Sequence, residues 1–97
     1  MVEIIWTEPA LDELDAIAAY IAVDNPKVAQ AVVETVLSAT EVLSRYPDSG
    51  RRPPELPQGR YREIVVPPCR IFYRIENDKL YLVHVQRDAQ QLREIRY

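Results

Sequence analysis

Few side chains in this sequence could transfer a proton at neutral pH. His84 is the single histidine, and an imidazole with an unperturbed pKa of about 6.5 is the usual acid–base group near neutrality. Glu55 lies in a proline-rich stretch and is a second candidate, as a general base. A lone histidine within a strand is also a common structural residue that hydrogen-bonds its neighbours. His84 therefore has two interpretations, one catalytic and one structural.

The same inventory argues against several other kinds of site. Cys69 is the only cysteine, so it cannot form an internal disulfide, and Cys69 and His84 are too few ligands for structural zinc. Gly50 and Gly59 are the only glycines, which leaves no phosphate-binding loop. Charges interrupt every apolar run before the roughly 20 residues that a membrane helix needs, and no signal peptide is visible. We therefore expect a cytoplasmic protein that uses no metal and no cofactor.

Charge is distributed unevenly along the 97 residues, although the formal net charge is only −3. Residues 1–44 carry eight acids and one lysine, whereas residues 45–97 carry eleven bases, ten of them arginine, and seven acids. A basic half predicts an anionic partner or target, for which the candidate contacts are Arg51, Arg52, Arg60, Arg62 and Arg87. The alternative is an ordinary solvated basic edge. The negative overall charge argues against free nucleic acid as the main ligand.

The composition and the periodicity predict one domain, residues 1–97, that begins with a strand and two helices. The strand ends at Trp6, and Thr7 is a helix N-cap that precedes an apolar stripe with three- and four-residue steps up to Asp24. Asn25-Pro26 then begins a second helix that continues to about Arg45. Helices joined by so short a turn form an antiparallel hairpin.

Three strands are predicted after an irregular loop that runs through Gly59, at residues 60–66, 69–76 and 79–87. Asn77-Asp78 is the predicted hairpin turn between the last two. The order β-α-α-β-β-β indicates an α+β fold, an antiparallel sheet with the N-terminal helical hairpin packed on one face. Residues 88–97 are expected to form one or two helical turns or a frayed tail.

The second face of this sheet is more apolar than a solvent-exposed face should be. Simple alternation places on it three apolar side chains beside two arginines, namely Phe72, Leu80 and Leu82 with Arg70 and Arg74. Large exposed apolar patches mark interaction sites, so a partner is one explanation. The other is that the chain covers the face itself, with Leu92 and Ile95.

The order of these motifs resembles the RelE/ParE superfamily of type II toxins along nearly the whole chain. The matching features are the W-T-x-x-A-x-x-x-L opening from Trp6 to Leu14, the I-x-x-Y-I of the first helix and the Asp24-Asn25-Pro26 connection. The match continues through Pro47, Gly50-Arg51, the strand Arg70–Ile75, Val83-His84-Val85 and Arg87-Asp88.

The resemblance implies a small toxin that is neutralised by a cognate antitoxin, whose disordered tail folds onto the toxin surface. Such a partner would occupy the apolar second face beside its arginines. The antitoxin-binding residues implied in this way are Arg70, Phe72, Arg74, Leu80 and Leu82.

The superfamily divides by target, and the residues favour one branch. The D-N-P turn and the G-R loop are more similar to ParE-like members, which bind and poison DNA gyrase without chemistry of their own. The lysine-rich catalytic cluster of RelE is absent, since Lys27 and Lys79 are the only lysines. The C-terminal His-Tyr pair of another ribonuclease branch is also missing, because Tyr97 stands alone. The resemblance therefore implies a gyrase inhibitor, neutralised by a ParD-like antitoxin, more than an enzyme.

Two alternatives remain open. The first is a RelE-like, ribosome-dependent mRNA endoribonuclease, which needs proton transfer and cations to stabilise the phosphorane charge. The resemblance puts Arg70 at the family's phosphate-binding arginine, and the further candidates for that chemistry are His84, Arg87 and Glu55. The second alternative is a non-toxic interaction module of the same fold.

Overall fold

The computed structural model describes residues 1–87; the predicted helical turns or tail at 88–97, with Leu92 and Ile95, lie outside that range. The elements in chain order are β1 (Glu3–Trp6), α1 (Glu8–Asp24), α2 (Pro26–Val42), β2 (Tyr61–Val66), β3 (Cys69–Glu76) and β4 (Lys79–Arg87). The predicted α+β fold is confirmed, with every predicted helix and strand present. Among the described residues, no helix is both long enough and apolar enough to cross a membrane.

The helix boundaries follow from the two predicted caps. The Thr7 hydroxyl accepts a hydrogen bond from the Ala10 N–H and donates one to the carbonyl of Leu82, at 2.7 Å, so it caps α1 and ties it to the sheet. Asn25 serves both helices: its side chain accepts from the Val28 N–H at 3.2 Å, and its backbone N–H donates to the carbonyl of Ile21. One residue therefore ends α1 and begins α2.

The four strands form one sheet in the order β1-β4-β3-β2. The pairs β2–β3 and β3–β4 are antiparallel, but β1 pairs with β4 in parallel, from Glu3 opposite Lys79 to Trp6 opposite Leu82. The sheet is therefore mixed, where the sequence had indicated antiparallel pairing. The Val2 N–H donates to the carbonyl of Ser44 at 3.0 Å, so the residues after α2 lie beside the start of β1. Asn77 and Asp78 both have positive φ, as the predicted β3–β4 turn requires.

A β-bulge in β4 corrects the predicted assignment of its side chains to the two faces. Tyr73 pairs with Leu82 and Phe72 pairs with His84, so Val83 is an extra residue that interrupts the alternation. Before the bulge, Leu80 and Leu82 lie on the helix-covered face opposite Ile75 and Tyr73, not on the second face.

The core lies between the helical hairpin and this covered face. It contains Ala10, Leu14 and Ile17 of α1, Val36 of α2, Leu43, and the sheet residues Ile71, Tyr73, Leu80, Leu82 and Val85. Leu80 and Leu82 have no exposed surface at all. The helix stripes predicted from the sequence therefore do face the sheet.

Candidate functional site

An apolar groove of about 540 Å³ lies on the sheet face opposite the helices. Phe72 and His84 face each other across β3 and β4 at its floor, with ring centroids 5.5 Å apart. The bulge adds Val83 to the same floor. The remaining lining comes from the loop after α2 and from neighbouring strand positions: Pro53, Glu55, Leu56, Tyr61 and Gln86.

Arg70 lies at one side of this groove in a network of carboxylates. Its two terminal nitrogens hydrogen-bond both oxygens of Glu55, at 2.9 and 3.0 Å, and one of them also contacts Glu63. Its guanidinium carbon lies 5.0 Å from the centroid of the Phe72 ring. The side chain of Arg70 is only 7% exposed, so this cation is neutralised by carboxylates instead of by water.

Glu63 joins Arg70 to Arg51. The Glu63 carboxylate is fully buried, and Arg51 approaches its second oxygen at 2.8 Å. The backbones of Arg51 and Glu63 also exchange two hydrogen bonds, which closes the open edge of β2. Removing one partner from the buried Arg70–Glu63 pair leaves the other charge buried without compensation, which typically costs about 3–5 kcal/mol.

Glu55 is the end of the network next to the groove. It lies in the loop between α2 and β2, and its side chain is 35% exposed. The hydrogen bonds from Arg70 lower the pKa of its carboxyl group below the ordinary value of 4.5, against the opposing effect of partial burial. Glu55 is therefore an ionised partner of Arg70 at neutral pH and is poorly suited to accept a proton as a general base.

His84 is held by an acid of α1, Glu13. Its Nδ1 lies 2.6 Å from a carboxylate oxygen of Glu13, whose other oxygen accepts the backbone N–H of Val85 at 2.9 Å. The Nε2 of His84 contacts the side-chain amide of Gln86. Glu13 thus holds the imidazole in place. It also accepts a backbone N–H at the edge of β4, beyond the point where the pairing with β1 ends.

The loop that supplies Glu55 is fixed to the sheet through Tyr73. The Tyr73 hydroxyl donates to the carbonyl of Pro47 at 2.7 Å and accepts the N–H of Gly50 at 2.9 Å. Burial raises the pKa of this hydroxyl above its ordinary value, so it stays protonated and can do both. The guanidinium of Arg62 adds a hydrogen bond to the Gly50 carbonyl at 2.9 Å.

The five predicted target-binding arginines do not form one cluster. Arg51 and Arg62 are tied to the loop and β2 as described, and Arg52 contacts the carbonyl of Gly59. Arg60 pairs with Glu76 at 3.1 Å. Arg87 lies elsewhere, stacked 4.4 Å from the ring of the exposed Tyr20 on α1. Arg87 is therefore separate from the loop arginines.

The five residues predicted to bind the antitoxin do not share one surface either. Leu80 and Leu82 belong to the core, so their assignment to an exposed surface was wrong, and the cause is the bulge at Val83. Phe72 and Arg70 do lie on the second face, but they are only 8% and 6% exposed, and Arg70 is paired with Glu55 of the loop. Arg74, which stacks on Tyr81 at 4.7 Å, keeps a partly exposed side chain.

The sequence analysis did not identify Glu13 and Glu63. Glu13 directly precedes Leu14 of the buried stripe, and this position at the edge of the stripe was the available signal. Glu63 is an acid inside a strand that is otherwise largely apolar, a pattern that favours a buried, paired carboxylate. Within residues 1–87, no three or more His, Cys, Asp or Glu side chains form a group that could hold a metal ion.

Comparison with known proteins relates this chain to toxins. The family model described as "ParE toxin of type II toxin-antitoxin system, parDE" matches residues 4–92. The chain is 33% identical to "Toxin RelE2" of Caulobacter vibrioides over 90 residues, 92% of this chain and 98% of that protein. It is 41% identical over 73 residues to "Putative toxin Y4kP" of Sinorhizobium fredii, covering 75% of each.

A solved structure shares the fold. The chain superposes on a protein of the "Chromosomal ParDE TA system from P. aeruginosa" with a TM-score of 0.74, over 90% of this chain and 96% of that one. The sequence identity of this pair is 21%, so the likeness concerns the fold.

Proposed function

The chain belongs to the ParE toxin family of type II toxin–antitoxin systems, and on that premise we propose that it inhibits DNA gyrase while a cognate ParD-like antitoxin holds it inactive. The observation that carries this proposal is that Arg70 is already paired with carboxylates. This arginine is the cation that phosphate chemistry would need, and carboxylates occupy both of its terminal nitrogens.

Cleavage of RNA requires a cation that can contact the phosphorane and a base that can accept the 2′-hydroxyl proton. Arg70 is neutralised by Glu55 and Glu63, and the same hydrogen bonds keep Glu55 ionised at a lowered pKa. Two of the four ribonuclease candidates, Arg70 and Glu55, are therefore paired with each other. Arg87, a third, is stacked on Tyr20. This arrangement favours a protein that acts by binding.

The exposed arginines Arg52 and Arg60 are the proposed contacts with gyrase. Purified toxin should stop supercoiling by gyrase and leave mRNA on translating ribosomes intact. Substituting glutamate at both positions should weaken gyrase inhibition, whereas the same charge change at Lys27, exposed on α2, should not. Cleaved mRNA together with unaffected supercoiling would refute the gyrase assignment.

A ribonuclease is the second candidate, and the Glu13–His84 pair is the observation that favours it. An imidazole fixed by a carboxylate beside a groove is an arrangement used for proton transfer, and the RelE2 relative carries the name of that branch. On this alternative, His84→Ala and Arg70→Ala abolish mRNA cleavage by folded protein. Retained toxicity in both variants would eliminate it.

A further inference from the structure

The Glu55 carboxylate contacts Arg70 in the way that a bound carboxylate ligand would. Both carboxylate oxygens face both terminal nitrogens of the guanidinium, at 2.9 and 3.0 Å, which is the bidentate pairing by which arginine recognises carboxylates. Glu55 comes from a loop and not from the sheet. One side of Arg70 is thus permanently built into the protein by Glu63, while the other side is filled from outside the sheet.

Beyond its anchors to the sheet at Gly50 and Arg51, the loop around Glu55 is closed by local turns. Leu56 and Gly59 donate backbone hydrogen bonds to the carbonyls of Pro53 and Leu56, and Arg52 contacts the carbonyl of Gly59. The Glu55–Arg70 pair joins these turns to the sheet face. The Glu55 side chain is 35% exposed, so it can rotate away from Arg70 while the loop keeps its anchors at Gly50 and Arg51.

The charges of the network show what would replace Glu55. Arg51 and Arg70 carry two positive charges, and the fully buried Glu63 supplies one negative charge. Without Glu55 the network has one uncompensated positive charge beside an apolar groove floored by Phe72 and Val83. The Nε–H of Arg70 is in addition buried with no acceptor, so this cation has unused donor capacity.

We propose that Arg70 and the adjoining groove form a binding site for a peptide segment that pairs an acidic residue with apolar ones, and that Glu55 occupies the site until such a segment displaces it. The inference rests on the proposed function, because the antitoxin is the partner that would supply the segment. A peptide fits better than a nucleic acid: the groove lining is largely apolar, and the single uncompensated positive charge of the network matches one carboxylate and not a chain of phosphates.

The test uses the full chain and a blocked pentapeptide of alternating leucine and glutamate, with its glutamine counterpart as the uncharged control. The variant Glu55→Gln keeps the shape of the side chain and removes its charge. If Glu55 occupies Arg70 for more than about nine-tenths of the time, removing this competitor should lower the dissociation constant of the glutamate peptide at least about tenfold. Amide chemical-shift changes should centre on Phe72 and Val83.

Two further variants make the result specific. Glu76→Gln removes the same charge from a partly exposed carboxylate that pairs with Arg60 at 3.1 Å, and it should leave peptide affinity unchanged. Adding Arg70→Lys to Glu55→Gln should abolish the gain, because lysine cannot make the bidentate contact. Trp6 fluorescence should report that all variants remain folded.

Equal affinity of wild type and Glu55→Gln for the peptide would overturn the inference. So would tighter binding of a single-stranded RNA hexanucleotide than of the peptide to Glu55→Gln, which would make the site one for phosphates. The readout involves no gyrase, so a failed supercoiling assay would leave it intact. Equal peptide binding would equally leave gyrase inhibition standing.

Discussion

Gly50 lies where the loop after α2 crosses the edge of the sheet, and the ring of Tyr73 leaves no room for a Cβ atom there. A Cβ at this position would be 2.5 Å from the Tyr73 hydroxyl oxygen and 2.8 Å from the carbonyl oxygen of Glu63. Gly50→Ala should therefore destabilise the protein by about 1–3 kcal/mol, as overpacking does, measured by urea unfolding. Gly59→Ala is the matched control, since its Cβ would meet no atom closer than 3.7 Å. Equal effects of the two substitutions would contradict this account.

Glu55 gives the stability of the protein a defined dependence on pH. Arg70 lowers its pKa below 4.5 in the folded state, so the pair stabilises the fold above pH 4.5 and loses that contribution as the pH falls through the folded pKa. The melting temperatures of wild type and Glu55→Gln should differ at pH 6 and converge as the pH falls from 4.5 towards 3. A difference that stays constant over this range would show that the Glu55 charge does not stabilise the loop.

At the scale of elements, Asn25 is the whole connection between α1 and α2. Asn25→Ala should cost about 1 kcal/mol, because the Val28 N–H loses its side-chain acceptor. Asn25→Asp keeps an acceptor in the same place and should retain most of the stability in thermal unfolding. Ser38→Ala, at an exposed interior position of α2, should have little effect. If Asn25→Ala proves as neutral as Ser38→Ala, the cap does not contribute to stability.

The elements themselves were predictable because their signals are local. Caps at Thr7 and Asn25, the helical stripes and the Asn77-Asp78 turn are each decided by residues close together in the sequence. The bulge is different: Val83 is an ordinary strand residue, and only its register against Phe72 and Tyr73 makes it an extra one. The assignment of Leu80 and Leu82 to the second face, which used simple alternation across Val83, was therefore wrong.

The site could be predicted only in part, because the sequence shows the residue types but not which of them are paired. Residue types indicated Arg70, Glu55 and His84 as chemically notable, and the structure does bring Arg70 and Glu55 together. Their partners Glu63 and Glu13 are 7 and 71 positions away from Arg70 and His84 in the chain. Pairing over such separations depends on strand register and helix placement, which no local pattern in one sequence specifies.

At the scale of the whole molecule, helices and sheet share one core and should unfold together. Trp6, the only tryptophan, packs against this core from β1, so its fluorescence reports the β1–β4 pairing, while far-ultraviolet circular dichroism reports mainly the helices. Both signals should have the same midpoint in urea. Leu82→Ala should lower the free energy of unfolding by about 2–5 kcal/mol. The midpoints of the two signals should shift by the same amount. A tryptophan transition that precedes the helical one would show that β1 unfolds separately.

The parallel pairing of β1 with β4 limits how early the protein can fold during its synthesis. β4 is an interior strand, with β1 on one side and β3 on the other, yet it is formed by residues 79–87. While the chain is being synthesised, β1 emerges first but has no strand to pair with until β4 has followed it. The core therefore cannot close until residues 79–87 have been synthesised, and a nascent chain without them lacks both the groove and the complete sheet. β1 thus leaves the ribosome well before the strand with which it pairs.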